Sequence, residues 1–224
     1  MNILLTNDDG YNSIGINLLK EKLSKYGNVT LVAPETSMSG KSVSIIYGRS
    51  VRVTKVEEDV FSMEGTPADC VAFGLSSLNK KFDLVVSGVN DGLNISVDIL
   101  YSGTIGACLQ ALSYRIPAIA FSTNVGHFAI VEKHFDEVMN HIIENKLIST
   151  EYLLNVNFPL SDTIKGIKMT NIHYRNENAY YIKTEEGKFL ALRDVKDSDC
   201  KNEDTDAYAV HHSLVSITKL NKML

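Results

Sequence analysis

At 224 residues, with 44% hydrophobic and 22% charged side chains, the chain has the make-up of one sizeable globular domain. There is room for an appendage, but not for a second full domain. A net charge of −5 argues against a groove for nucleic acid polymers and against an electrostatic hold on a membrane surface, so a small anionic substrate would need local help from a metal or from backbone N–H groups.

The first stretch, Asn2-Ile3-Leu4-Leu5-Thr6, reads as a buried parallel strand, and Asn7-Asp8-Asp9-Gly10 follows it. Two adjacent carboxylates raise each other's pKa unless a cation lies between them, and that cost points to a divalent metal. Ile14, Leu18, Leu19 and Leu23 recur at helical spacing, and Gly27-Asn28 stops that helix. Residues 29–33 form a second short apolar run ended by Pro34. Strand, helix and strand within about 30 residues make a right-handed βαβ unit. A hydroxyl-rich loop spans Thr36 to Ser42, and residues 43–47, 51–56 and 60–63 show the β-branched alternation of an antiparallel excursion.

Thr66 is placed to cap a helix over residues 67–78, with Pro67 at its first position and Asp69 in its first turn. Residues 83–88 form a third core strand, opening into a long polar loop from Val89 to Asp98. Ser102-Gly103-Thr104 starts a helix with Ile105, Leu109 and Leu112 on one face. Residues 117–122 are a fourth core strand, and 128–144 an amphipathic helix. After about residue 150 the pattern changes to strands at 153–158, 166–169, 180–183, 189–192 and 214–218, with Glu185-Glu186-Gly187 as hairpin material.

The expected fold is therefore α/β: a Rossmann-like, mostly parallel sheet flanked by helices (residues 1–150, carrying the site). A smaller β-hairpin-rich C-terminal part (151–224) is expected to serve subunit association. No basic segment opens the chain and no apolar run approaches the ~20 residues that span a bilayer, so a cytoplasmic location is expected. Cys70, Cys108 and Cys200, at unrelated spacings, are expected to be buried free thiols of a reducing compartment. His127, His134 and His141 are spaced by seven and fit a polar helix stripe better than a metal site. His211-His212 are placed in a strand and given no role.

In an open parallel sheet, ligands bind beyond the carboxyl ends of the strands, near the switch in strand order. Four polar groups fall on that edge: Asp8-Asp9, Ser39-Gly40, Asn90 to Asn94, and Ser102-Gly103-Thr104. Carboxylates, a hydroxyl and an amide oxygen are hard ligands suited to Mg²⁺ or Mn²⁺. The start of a helix offers N–H groups and a positive dipole end to a phosphate. Together they point to metal-assisted phosphoryl transfer, with a nucleotide sensor that binds without turnover as the alternative. No Gly-x-Gly-x-x-Gly follows the first strand and no P-loop sequence occurs, which argues against a dinucleotide oxidoreductase and a P-loop enzyme. Aspartyl phosphatases use Asp-x-Asp, whereas these aspartates are adjacent. A receiver domain needs an acceptor aspartate where this chain has Ser87-Gly88, and is about half as long.

Asn7-Asp8-Asp9-Gly10, Ser39-Gly40 with Ser42 and Ser44, Gly65-Thr66-Pro67-Ala68-Asp69-Cys70 and Ser87-Gly88-Val89-Asn90 resemble the SurE family of survival-protein nucleotidases. So do Asn94, Tyr101-Ser102-Gly103-Thr104, Asn155-Val156-Asn157-Phe158-Pro159, Thr205-Asp206 and Ser216-Ile217-Thr218, an ordered set from residue 7 to residue 218. The resemblance implies a divalent-metal-dependent phosphomonoesterase of the 5′-nucleotidase, acid-phosphatase-like class. It would act on nucleoside 5′- and 3′-monophosphates, and on short-chain polyphosphate. The resemblance places Mg²⁺ or Mn²⁺ on Asp8, Asp9, Ser39 and Asn90, and the phosphate beside Gly40, Asn94, Ser102, Gly103 and Thr104. Asp8 is the candidate proton acceptor, and a homodimer or homotetramer is implied. Two departures stand out: Met38 where the family commonly has arginine, and Lys219 where it usually has proline.

Overall fold

The computed structural model describes residues 1–175, 179–193 and 200–221. A nine-stranded sheet forms its centre. Strand β1 (Asn2–Thr6) lies beside β2 (Asn28–Pro34) on one side and β5 (Leu84–Asp91) on the other, all parallel. From β2 the sheet continues through β4 (Val60–Met63) to β3 (Val53–Glu57). From β5 it continues through β6 (Ala118–Thr123), β7 (Tyr152–Asn157) and β11 (Leu214–Asn221) to β8 (Gly166–Thr170). The order reverses between β1 and β5, so the crevice of the switch point opens where Asp8 and Asn90 emerge.

Both faces of the sheet's centre are covered, which is why β1, β2, β5, β6 and β7 are buried without alternation. Ile3 and Leu5 join the core under helices α1 (Ile14–Leu23) and α4 (Phe128–Glu144), while Leu4 joins that under α2 (Pro67–Ser77) and α3 (Gly103–Ser113). All three side chains are fully buried, each worth about 1.5–3 kcal/mol relative to exposure. The buried face of α1 is Gly15, Ile16, Leu19 and Leu23, whereas Ile14, expected on that face, is 70% exposed. Among the described residues no helix is long and apolar enough to cross a membrane.

Two sequence expectations need correction. Residues 43–47 form no strand. Backbone groups in and just before this segment bond elsewhere: the Ser42 amide to the Tyr101 carbonyl at 3.0 Å, the Ser44 carbonyl to the Thr66 hydroxyl, the Ile46 amide to Asp69 Oδ1 at 3.0 Å. With those partners no ladder is needed to satisfy the segment. His211 is not in a strand either; it ends helix α5 (Asp206–His211), capped by Thr205.

The expected strands after residue 150 are all present, but they divide. β7, β11 and β8 extend the main sheet, so the sheet itself crosses residue 150, whereas β9 (Ala179–Lys183) and β10 (Phe189–Arg193) form a separate antiparallel hairpin. That hairpin exposes Tyr180, Tyr181, Ile182, Phe189 and Leu190. The three cysteines are free and buried, as expected.

Candidate active site

Asp8 and Asp9 follow β1 and take different hydrogen-bond partners. Asp8 is 3% exposed and points at the start of α3, where the Thr104 hydroxyl donates to its Oδ1 at 2.7 Å and the Gly103 amide also donates to it. Asp9 turns toward the end of β5 and accepts the Asp91 amide at Oδ2, 3.2 Å away. Asn7 holds the loop behind them. Its side-chain amide donates to the Gly10 carbonyl at 3.0 Å and to Ser13 Oγ at 2.8 Å, while its oxygen accepts the Gly10 amide. Ser13 in turn caps α1.

The close approach of α3 to Asp8 depends on Gly103. A Cβ there would lie 2.9 Å from Asp8 Cβ and 3.1 Å from Oδ2, so any side chain would push the carboxylate away. One turn later a Cβ on Gly106 would lie 2.1 Å from the Ser42 carbonyl oxygen. The serine loop and α3 therefore meet backbone to backbone.

Burial pushes the Asp8 carboxyl up from 3.8 to about 6, opposed by the Thr104 hydrogen bond and reinforced by the charge of Asp9. Asp9 is also raised, first by burial and then by the charge of Asp91, against the Asp91 amide bond. Two carboxylates held above their usual range beside neutral oxygens are a place where a divalent cation is favoured.

Ser39 and Gly40 lie on the exposed loop beside Asp8, because the Met38 amide donates to the Asp8 carbonyl at 2.7 Å. Asn90 ends β5 next to the Asp91 amide that binds Asp9. Its Nδ2 donates to the Gly92 carbonyl at 2.7 Å, which leaves Oδ1 as its end for a ligand. Two carboxylates and an amide oxygen at the ends of β1 and β5, with a serine hydroxyl on the neighbouring loop, fit Mg²⁺ or Mn²⁺ by donor chemistry. Among the described residues no cluster of three or more His, Cys, Asp or Glu is placed for a metal, so the donor set rests on only two charges.

Asn94 is 4% exposed and is held by groups that sequence reasoning left without a role. Its amide donates to Asn157 Oδ1 at 2.8 Å, its carbonyl accepts from Asn155 and Asn157 at 2.7 and 3.1 Å, and its Nδ2 donates to Ser122 Oγ at 2.9 Å. The helix start is also occupied in part. Ser102 Oγ caps the Ile105 amide at 3.1 Å, and Thr104 Oγ1 and the Gly103 amide face Asp8. Asp69, read from sequence as a helix-start charge, anchors the serine loop as well. It forms a capping box with Thr66 and accepts the Ile46 amide. Its place in the first turn after Thr66-Pro67 was the signal for the first role; nothing in the sequence marked the second.

The histidines stand apart from this centre. His127 faces Asp162 at 2.7 Å, His134 faces Glu137 at 3.1 Å and His141 lies beside Asn145.

A family model described as Survival protein SurE matches residues 3–179. Similar curated proteins include the 5′-nucleotidase SurE of Clostridium botulinum (strain Loch Maree / Type A3), 38% identical over 236 residues, covering 99% of this chain and 93% of that one. The 5′-nucleotidase SurE of Clostridium beijerinckii is 35% identical with the same coverage. Among solved structures, that of a SurE protein from Aquifex aeolicus aligns with a TM-score of 0.86 at 36% identity, covering 100% of this chain and 94% of that one.

Proposed function

The chain belongs to the Survival protein SurE family, and from that premise we propose that it is a 5′-nucleotidase, a phosphoric monoester hydrolase that releases phosphate from nucleoside 5′-monophosphates. The observation that carries the reading is Asp8: a buried carboxylate bonded to Thr104 at 2.7 Å, at the start of α3 and the switch point of the sheet.

Asp8, Asp9, Ser39 and Asn90 would hold a divalent ion, Mg²⁺ or Mn²⁺. When bound, such an ion supplies a nucleophile at neutral pH and offsets charge on the phosphate oxygens. The residues do the rest. β1 and β5 carry the oxygens of Asp8, Asp9 and Asn90, the serine loop carries that of Ser39, and Thr104 and Gly103 hold the Asp8 carboxylate in place. Asp8 is the proposed proton acceptor, because its carboxylate follows β1 at the start of α3, between the groups that would hold the ion and those that would hold the phosphate. Gly40, Asn94, Ser102, Gly103 and Thr104 would surround the phosphate. Since the Thr104 hydroxyl and the Gly103 amide already serve Asp8, the Thr104 amide and the Ser102 hydroxyl are the donors assigned to phosphate there.

The finer expectations belong to the same proposal: action on 3′-monophosphates and short-chain polyphosphate, a cytoplasmic location, and a homodimer or homotetramer joined through the apolar hairpin of β9 and β10. Met38, at a position where the family commonly carries arginine, leaves substrate affinity to the helix start and the ion.

The test is phosphate release from AMP with and without chelator. Release that stops on chelation and returns with Mg²⁺ or Mn²⁺ is expected. Undiminished release after thorough metal stripping would overturn the metal assignment. Thermal stabilisation by AMP without release would favour a nucleotide sensor.

A further inference from the structure

The five residues before Tyr101 form a short 3₁₀ turn (Ser96–Leu100), and its acid is not used by the chemistry above. The Asp98 carboxylate, 25% exposed, receives two guanidinium groups, Arg175 at 3.2 Å on Oδ2 and Arg193 on Oδ1. The Arg175 side chain is 7% exposed. Arg193 also lies over the ring of Tyr101, 5.3 Å from its centroid. Both arginines come from the C-terminal arm: Arg193 is the last residue of β10, and Arg175 precedes β9.

A second carboxylate bolts the same two segments together. Asp206 accepts the Ser96 amide at 2.9 Å on one oxygen and the His173 amide at 2.7 Å on the other. The arm is thus held to residues 96–98 by two acids, one from each side. What lies downstream of that joint is the site itself. The Tyr101 carbonyl accepts the Ser42 amide at 3.0 Å, so it fixes the serine loop, and the next residue, Ser102, begins α3.

We propose that Asp98 is a positioning residue: clasped by Arg175 and Arg193, it sets the place of the Tyr101-Ser102 turn, and thereby of the phosphate-holding helix start and the serine loop. The position of the hairpin arm is in this way coupled to substrate affinity. Charge-assisted bonds to a planar guanidinium fix direction as well as distance, and Tyr101 receives both the stacked guanidinium and the Ser42 bond. A displacement of about 1 Å at such a turn is enough to cost large factors in binding or rate. Of the four metal-holding residues, Asp8, Asp9 and Asn90 come from β1 and β5 and do not depend on this joint, while Ser39 alone rides on the serine loop, so the effect falls on phosphate more than on the ion.

The inference rests on reading Ser102-Gly103-Thr104 as the phosphate-holding group, and the test separates the two. Full-length protein and its Asp98→Asn, Asp98→Glu and Arg193→Lys variants are compared by amide hydrogen exchange, by KM and kcat on AMP at saturating Mn²⁺, and by calorimetric affinity for inorganic phosphate. Asp98→Asn is expected to speed exchange at the Ser42 amide and the first turn of α3 by about tenfold. It should raise KM and the phosphate Kd by about tenfold, with kcat changed less than about threefold. Asp98→Glu should recover most of the loss, and Arg193→Lys, which keeps the charge but not the stacked plane, should lie between. If Asp98→Asn does not fold, Arg193→Lys on the half-exposed hairpin carries the test. Unchanged KM and phosphate Kd in the folded variants, or losses confined to thermal stability, overturn the positioning role. Faster exchange and weaker phosphate binding in a protein that never hydrolyses AMP would leave the clasp standing and overturn the nucleotidase reading instead.

Discussion

The hydroxyl of Thr104 donates to Asp8 Oδ1 at 2.7 Å, although 96 residues separate them. This bond joins the end of the first strand to the first turn of α3, and it favours the charged carboxylate against the burial that opposes it. Thr104→Val keeps the shape and removes the donor. A hydrogen bond to a charged group is worth about 1.5–3 kcal/mol, so kcat/KM should fall by roughly 10- to 100-fold. Thr104→Ser should restore most of it. Steady-state kinetics on AMP with circular dichroism as the control for folding checks this.

Asp9 makes one bond, to the Asp91 amide, and suffers the charge of Asp91. Asp9→Asn keeps an acceptor for that amide and relieves the repulsion, so the melting temperature should hold or rise. Turnover should fall by about 100-fold or more and Mn²⁺ affinity should drop, because half of the negative charge at the site is gone. Turnover at the wild-type level would contradict the metal assignment.

The metal-free protein should lose stability as pH rises. The Asp8 carboxyl is raised from 3.8 to about 6 in the fold, so between those values the folded state binds more protons than the unfolded one. Its contribution is complete below about pH 4 and lost as pH passes 6, amounting to about 3 kcal/mol. Urea unfolding in EDTA at pH 4.5 and pH 7, for wild type and Asp8→Asn, should show a drop in the first that is largely missing in the second. Saturating Mg²⁺ or Mn²⁺ should remove the drop.

Asp69→Ala removes one half of the capping box and frees the Ile46 amide. The expected loss is about 1–2 kcal/mol, or a few degrees of melting temperature for a chain of this size. Because the released loop carries Ser39, KM for AMP should rise as well. A lower melting temperature with unchanged KM would mean that the anchor supports the fold alone.

The hairpin of β9 and β10 exposes Phe189 and Leu190 by 64% and 53%. An apolar surface of that kind on a protruding ribbon points to association. Light scattering should find more than one chain in the wild-type particle, and Phe189→Lys with Leu190→Lys should lower its mass. A monomeric wild type would refute the expected assembly.

Much of this was legible from residue order. The buried strands show as apolar runs, Thr66-Pro67 marks the start of α2, and residues 128–144 define α4 to the residue. The four polar groups were placed on one edge by strand order alone, and the structure puts Asp8 against Gly103 and Thr104. What escaped were partnerships between side chains and distant backbone. Asn155 and Asn157 hold Asn94 from 61 and 63 residues away, and no periodicity encodes that. Residues 43–47 have the alternation of a strand, yet Thr66 and Asp69 take the backbone bonds of Ser44 and Ile46. Helix α5 is only six residues long, too short for a period to show, although Thr205-Asp206 was a usable start signal.

The placing of β11 between β7 and β8 has a consequence for how the molecule is made. Strand β8 is synthesised more than forty residues before β11, yet its hydrogen-bonded neighbour in the sheet is β11. Until residues 214–221 leave the ribosome, β7 therefore presents an open edge on one side of a gap and β8 has no place in the sheet. Open strand edges are where chains pair with the wrong neighbour. Chaperone capture during synthesis, or exchange of β11 between two nascent chains, would act in that interval, when most of the apolar core already exists and the last ladder does not.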